Sequence, residues 1–237
     1  MPLEFDERFS DSPYVERIWR TQSEVAGNFT SVATHHWMMV VTHLQGTITL
    51  DIQGPETKPT AAYCPSDGDW LGIVFKFGTF MPRFPVDKII NGSVVLPEAC
   101  GQSFWLHGAA WQFPTYENAD TFVHRLVREG LLIREPDVTT LLRDQVNHQS
   151  WRSAHRHFQR ATGFTFGQAR QIERARCATN LLQQGNSIHD TMYELDYFDQ
   201  PHLTRALKRF IGFTPAQLTD RTQSGELSFL YNTALFY

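Results

Sequence analysis

Apolar and polar positions follow two different rhythms along this chain, and the change of rhythm divides it. In the first half the segment Thr47-Ile48-Thr49-Leu50-Asp51-Ile52 alternates strictly. That pattern predicts a strand with one buried face and one wet face. Segments 14–19, 37–44, 71–77 and 93–96 are rich in β-branched and aromatic residues. Gly46, Gly54-Pro55, Gly68 and Asn91-Gly92 punctuate them, as turns between strands would. The expectation for residues 1–112 is a small antiparallel sandwich or barrel-like domain.

After Pro114 the rhythm becomes helical. Phe122, Val123, Leu126 and Val127 form a stripe, and Gly130 follows as a stop. A helix over 116–133, inside a linker spanning 113–135, is expected to join two domains or to pair with a copy of itself. Glu135-Pro136 marks a break. From there to about residue 220 the pattern is helical throughout, with Gly163, Gly185 and Gly212 expected as C-caps. The fold class expected is therefore α+β, a β-rich domain followed by an all-α one.

An internal repeat sharpens the second half. Arg156-His-Phe-Gln-Arg-Ala-Thr-Gly-Phe-Thr-Phe-Gly-Gln168 matches Arg205-Ala-Leu-Lys-Arg-Phe-Ile-Gly-Phe-Thr-Pro-Ala-Gln217 at an offset of 49. Two copies imply a duplicated supersecondary unit. Ser150 and Asp199 stand at corresponding positions and suit helix N-caps. The residues that follow are long or polar: Arg152, His155 and Arg156 in the first copy, Gln200, His202 and Arg205 in the second. Near the N-terminus of a helix lying in a major groove, such side chains reach base edges, where Arg grips guanine and Gln grips adenine. Arg160, Lys208 and Arg209 suit phosphates, which position a protein without specifying sequence. Phe158 and Leu207 fall on the opposite face as anchors. On spacing alone, an arginine-rich helical interaction module remains the alternative.

The same residues resemble the AraC/XylS family of transcription regulators. The resemblance covers about residues 138–219. It rests on Ser187-Ile188, on Leu195-Asp196-Tyr197-Phe198-Asp199-Gln200-Pro201-His202-Leu203-Thr204-Arg205-Ala206-Leu207-Lys208-Arg209-Phe210, and on the Gly212-Phe213-Thr214-Pro215 turn. The stretch 168–182, with Arg174, Arg176, Ala178 and Leu181-Leu182, is similar to the helix that joins the family's two units. The chain departs from the pattern at Asp196, where Gly is usual, at Met192, where a small residue is usual, and at Ala154, where Leu is usual. The scaffold helix around 141–149 also lacks the usual Ala and Gly positions. Asp tolerates a left-handed backbone, so the turn at 196 is expected to survive.

In the first half, Phe75-Lys-Phe-Gly-Thr-Phe-Met-Pro-Arg-Phe-Pro-Val86 resembles a segment of AraC-like sensor domains, with Phe77 at a usual proline. The resemblance implies two helix-turn-helix units on double-stranded DNA, contact with RNA polymerase, activation of transcription, and an N-terminal domain that binds a small effector, dimerises, or both.

Charge supports a local polyanion site. Residues 1–135 carry 10 Lys/Arg against 16 Asp/Glu, whereas residues 136–237 carry 11 against 9. Six arginines and one acid, Glu173, lie between Ser150 and Arg176. Cys64, Cys100 and Cys177 are scattered and odd in number, which suits reduced thiols in a cytoplasm. No run of 18 apolar residues exists, so no membrane partner is expected. The opening Met-Pro-Leu-Glu-Phe-Asp-Glu lacks the apolar core of a secretory signal.

The remaining candidates are weaker. His35, His36 and His43 lack cupin-like metal spacing and are expected as partly exposed strand residues. Asp67 and Asp69 flank Gly68 as turn residues. Trp70, Phe75, Phe80, Phe84, Trp105 and Trp111, with Phe77, could line an apolar effector pocket or simply form the core of the β domain. The apolar tail 221–237, rich in aromatic residues from Glu226 to Tyr237, is expected to dock on its own N-terminal domain or on a partner chain, with disorder as the alternative.

No P-loop, Gly-x-Ser-x-Gly or Gly-x-Gly-x-x-Gly motif is present. Neither a reaction nor a cofactor is expected. The function expected is sequence-specific regulation of transcription, modulated by an effector or a homodimer. A constitutive DNA binder and a non-DNA helical adaptor stay open as alternatives.

Overall fold

The alternating segments assemble into one antiparallel sheet. A computed structural model of the protein describes residues 5–84, 86–135, 155, 156, 158, 159 and 162–220. In spatial order the sheet runs β1 (Phe5–Phe9), β2 (Val15–Ser23), β7 (Gly68–Phe75), β4 (Met38–Leu44), β5 (Thr47–Gln53) and β9 (Ser93–Val95). Every neighbouring pair is antiparallel. Three two-stranded ribbons accompany it: β3 (Gly27–Ser31) with β6 (Thr60–Cys64), β8 (Thr79–Phe80) with β12 (Ile133–Arg134), and β10 (Ser103–Leu106) with β11 (Ala109–Gln112). The five segments read as strands all form strands. The polar β1 and the Gly-led β3 were not anticipated, because largely solvated edges carry no alternation to read.

The period of two sorts side chains onto two buried faces. Met39, Val41, Leu71, Ile73 and Phe75 point into the main core. Met38, Val40 and Val74 point the other way, under Trp19, Trp70 and Phe5. Gly72 makes room for that second layer, since a Cβ there would meet the Trp19 ring at 2.0 Å. The β4–β5 hairpin closes on Gln45-Gly46, both at positive φ (51° and 78°), the conformation a two-residue hairpin turn requires. Asp67 also takes positive φ, as a turn residue would.

The linker helix is shorter than its pattern suggested. α1 is a single turn (Val86–Ile89), and α2 spans Ala119–Arg128. Gly130 follows at φ 66°, as the stop signal required. The stripe Phe122, Val123 and Leu126 faces the main core and is therefore not free to pair with a second copy. Asp120 in its first turn holds Arg8 at 2.7 Å and Ser10 at 2.5 Å, tying the helix to the end of β1.

Among the described residues, four further helices can be followed from end to end: α3 (Phe166–Gln183), α4 (Ile188–Glu194), α5 (Gln200–Phe210) and α6 (Pro215–Thr219). The main core runs into them without interruption, from Trp37, Phe75 and Phe80 to Phe158, Ile172, Leu207 and Phe210.

The aromatic residues of 70–111 divide between surroundings. Phe75, Phe77, Phe80 and Trp111 are buried in the main core, and Phe84 packs against it. Trp70 lies against the opposite layer, and Trp105 is 46% exposed. They do not converge on one site. Alternation explains the division, because residues an odd number apart on β7 face opposite ways. His35 and His36 also differ from expectation. They are buried, and they lie between β3 and β4 rather than on an exposed strand face; only His43 is exposed.

Candidate nucleic-acid interface

α5 is defined at both ends by its own sequence. Asp199 has an extended backbone, and its carboxylate accepts the His202 N–H at 2.6 Å. Pro201 sits in the first turn, where its missing N–H costs nothing. Gly212 closes the far end at φ 95°. Leu203, Leu207 and Phe210 form the buried stripe, and burial of three such side chains is what fixes the helix's rotation. Pro201, Arg205 and Lys208, at the complementary spacing, are all exposed, as are Gln200 and Arg209. The outward face is thus polar and cationic on a helix that cannot turn to hide it.

The expected reading residues do not all share that face. Gln200 and Arg205 are exposed, whereas His202 is half-buried with its ring edge-on to Tyr197 at 5.2 Å. The Arg174 guanidinium on α3 stacks over Tyr197 at 4.3 Å and reaches His202 at 3.5 Å. His202 therefore belongs partly to the support of the turn. Lys208 and Arg209 are exposed at the last turn, with Arg209 folded over the Phe210 ring at 5.0 Å.

In the first copy Arg156 is exposed, and His155 is half-buried with its ring 5.8 Å from Phe166. Arg152 and Arg160, the Ser150 cap, the scaffold helix around 141–149 and the tail 221–237 lie outside the described residues.

The repeat is visible as geometry. Gly163 and Gly212 both have positive φ, 75° and 95°. Thr165 and Thr214, two residues on, each close a reciprocal capping box, with Gln168 and Gln217 respectively. Phe158 and Leu207 are both buried. α4 is capped by Ser187 and ends at Leu195. Asp196 then takes φ 55° and carries the chain into α5, so aspartate does stand in for the usual glycine.

One signal read as a polyanion site has another destination. Arg176 and Glu173, on the inner side of α3, are fully buried at the junction with the segment between β3 and β4. Arg176 Nη1 donates to the Ala33 carbonyl at 3.2 Å, and the Ala33 N–H donates to the Phe210 carbonyl at 2.8 Å. Ala33 thus joins α3 to the end of α5, taking up one of the carbonyls a helix terminus leaves open. A Cβ at Gly212 would stand 3.3 Å from Pro59, so the C-cap glycine also lets the β3–β6 ribbon approach. Phe77 bridges the same junction, 4.5 Å from the His35 ring and 5.5 Å from Phe158.

Electrostatics at the junction follow from burial. Glu173 Oε2 lies 4.0 Å from Arg176 Nε and 3.8 Å from His35 Nδ1. Desolvation holds His35 well below its ordinary value, with His36 and Arg176 adding to the effect. Desolvation likewise brings His36 down to about 3. Its Nδ1 lies 2.8 Å from the Phe75 carbonyl, which can only accept, so Nδ1 carries the proton. Burial and the neighbouring Glu173 push the Cys177 thiol up to about 12, leaving it inert. Residue spacing carried no signal for this cluster. The only hint was Glu173, the lone acid of a basic stretch.

Residues 146–221 match a family model described as a helix-turn-helix domain. No curated protein and no solved structure matches the chain. Among the described residues, no helix is long and apolar enough to cross a membrane. A capped helix with a cationic outer face, a preceding helix turned through Asp196, and a family match enclosing both lead to one identification: over residues 146–221 the chain carries a helix-turn-helix domain.

Proposed function

We propose that the protein is a sequence-specific regulator of transcription that reads duplex DNA with two helix-turn-helix units. The carrying observation is α5, anchored by Leu203, Leu207 and Phe210, with Gln200, Arg205 and Lys208 exposed within the matched domain. Arg205 and Gln200 read base edges. Lys208 and Arg209 hold phosphates. The repeat geometry at Gly163–Gln168 supports a second unit, in which Arg152, His155 and Arg156 are the corresponding readers and Arg160 the phosphate contact.

The N-terminal region modulates this activity through the Ala33–Arg176–Phe210 junction, which ties it to both α3 and α5. A small apolar effector or a homodimer contact would act by favouring one placement of the helices over another. Activation through a contact with RNA polymerase accompanies this reading.

The test is fluorescence anisotropy of the full chain on a randomised duplex library and on individual selected duplexes. Selection should enrich a defined site, and affinity should fall steeply as salt rises, through counterion release. Binding that is flat in salt and enriches no sequence would refute the proposal.

A further inference from the structure

Phe198 is 91% exposed, more than any other large hydrophobic residue among those described. The position is not loose. On one side Tyr197 is buried, its N–H bonded to the Met192 carbonyl at 2.9 Å and its ring beneath the Arg174 guanidinium. On the other side Asp199 is fixed as the N-cap of α5. With both neighbours anchored, the Phe198 ring is held outward at the start of the reading helix.

The same end offers few amide donors. Asp199 Oδ1 takes the His202 N–H, the Leu203 N–H goes to the Asp199 carbonyl at 3.1 Å, and Pro201 has none. A helix start with its donors used in this way is a poor phosphate site. Beside the exposed Gln200 it presents two apolar groups: the Phe198 ring, and Pro201 on the same face as Arg205. The apolar feature of a base edge in the major groove is the thymine C5-methyl group.

We propose that Phe198, with Pro201 beside it, packs on a thymine methyl next to the base pair read by Arg205, so that the bound site carries thymine there. The proposal rests on α5 being the reading helix. It adds a specificity contact that none of the polar side chains supplies.

The experiment uses the full chain and the duplex selected from the randomised library. Each thymine is replaced singly by deoxyuridine, which removes only the methyl group. At one position wild type should lose about fourfold in affinity, the worth of one buried methyl. Phe198→Ala should bind the thymine and uracil duplexes equally, and Phe198→Leu should keep part of the discrimination. Because the side chain is exposed, both variants should melt with wild type.

If no thymine is methyl-sensitive, or if Phe198→Ala keeps the wild-type sensitivity, the proposal is overturned. If wild type selects no duplex, the reading of α5 fails, and the thymine contact falls with it.

Discussion

Arg205 and Arg176 are the same residue type 29 positions apart, yet they have opposite surroundings. Arg205 stands in water on the outer face of α5. Arg176 is sealed between α3 and the segment between β3 and β4, bonded to a backbone carbonyl and near Glu173. A solvated guanidinium costs nothing to keep and is available to a polyanion. A buried one is retained only where partners replace its water, and it holds those partners in place. A count of arginines along α3 and α5 does not distinguish the two; which side of the helix each occupies does.

The largest effect should come from breaking the buried member. Arg176→Ala would remove a cation beside the buried Glu173 and the donor to the Ala33 carbonyl. It should destabilise the protein by about 3–5 kcal/mol in urea unfolding. The double variant Arg176→Met with Glu173→Leu, which removes both charges, should recover most of that loss. Full destabilisation persisting in the double variant would mean that the hydrogen bond to Ala33, not charge pairing, dominates.

Acid should weaken the junction next. His36 is held down to about 3 when folded, against an ordinary value of 6.5. Below the ordinary value the unfolded chain binds a proton that the folded chain refuses, so stability falls as pH falls and the loss continues to about pH 3. From pH 7 to pH 5 the loss from His36 should be about 2 kcal/mol, and His35, shifted in the same direction, adds to it. Urea midpoints at the two pH values measure this, and His36→Gln should flatten the dependence.

Breaking the exposed member should do the reverse. Arg205→Ala should leave the unfolding midpoint unchanged and weaken the selected duplex by roughly 1–3 kcal/mol, with relaxed preference at one or two base pairs. Lys208→Ala should weaken all duplexes alike and lower the salt slope by about one phosphate. If both variants lose affinity uniformly across a library, the division into reader and phosphate contact is wrong.

The smallest effect concerns the repeat. Thr165→Ala and Thr214→Ala each remove one half of an equivalent capping box and should each cost about 1 kcal/mol of stability. Thermal unfolding of the pair would show whether equivalent geometry carries equivalent weight.

Local features were legible in the sequence because their causes are local. Gly163, Gly185 and Gly212 end helices, Asp199 starts one, and Asp196 accepts a left-handed backbone; each follows from the conformational preference of a single residue. Alternation placed the central strands within a few residues, but it was silent on β1 and β3, whose faces are largely solvated. The outward positions of Arg205 and Lys208 were equally legible, since three apolar residues at helical spacing determine which way their neighbours point.

What only the tertiary structure decided is where segments distant in sequence meet. Ala33 bonds to both Arg176 and Phe210, over 140 residues away. His35 is buried against Glu173 of α3 and His36 beside the Phe75 carbonyl, and Trp70 and Phe75 separate because the sheet has two covered faces. No periodicity encodes those meetings. Burial of a polar side chain depends on what packs over it, and that is a property of the assembled chain.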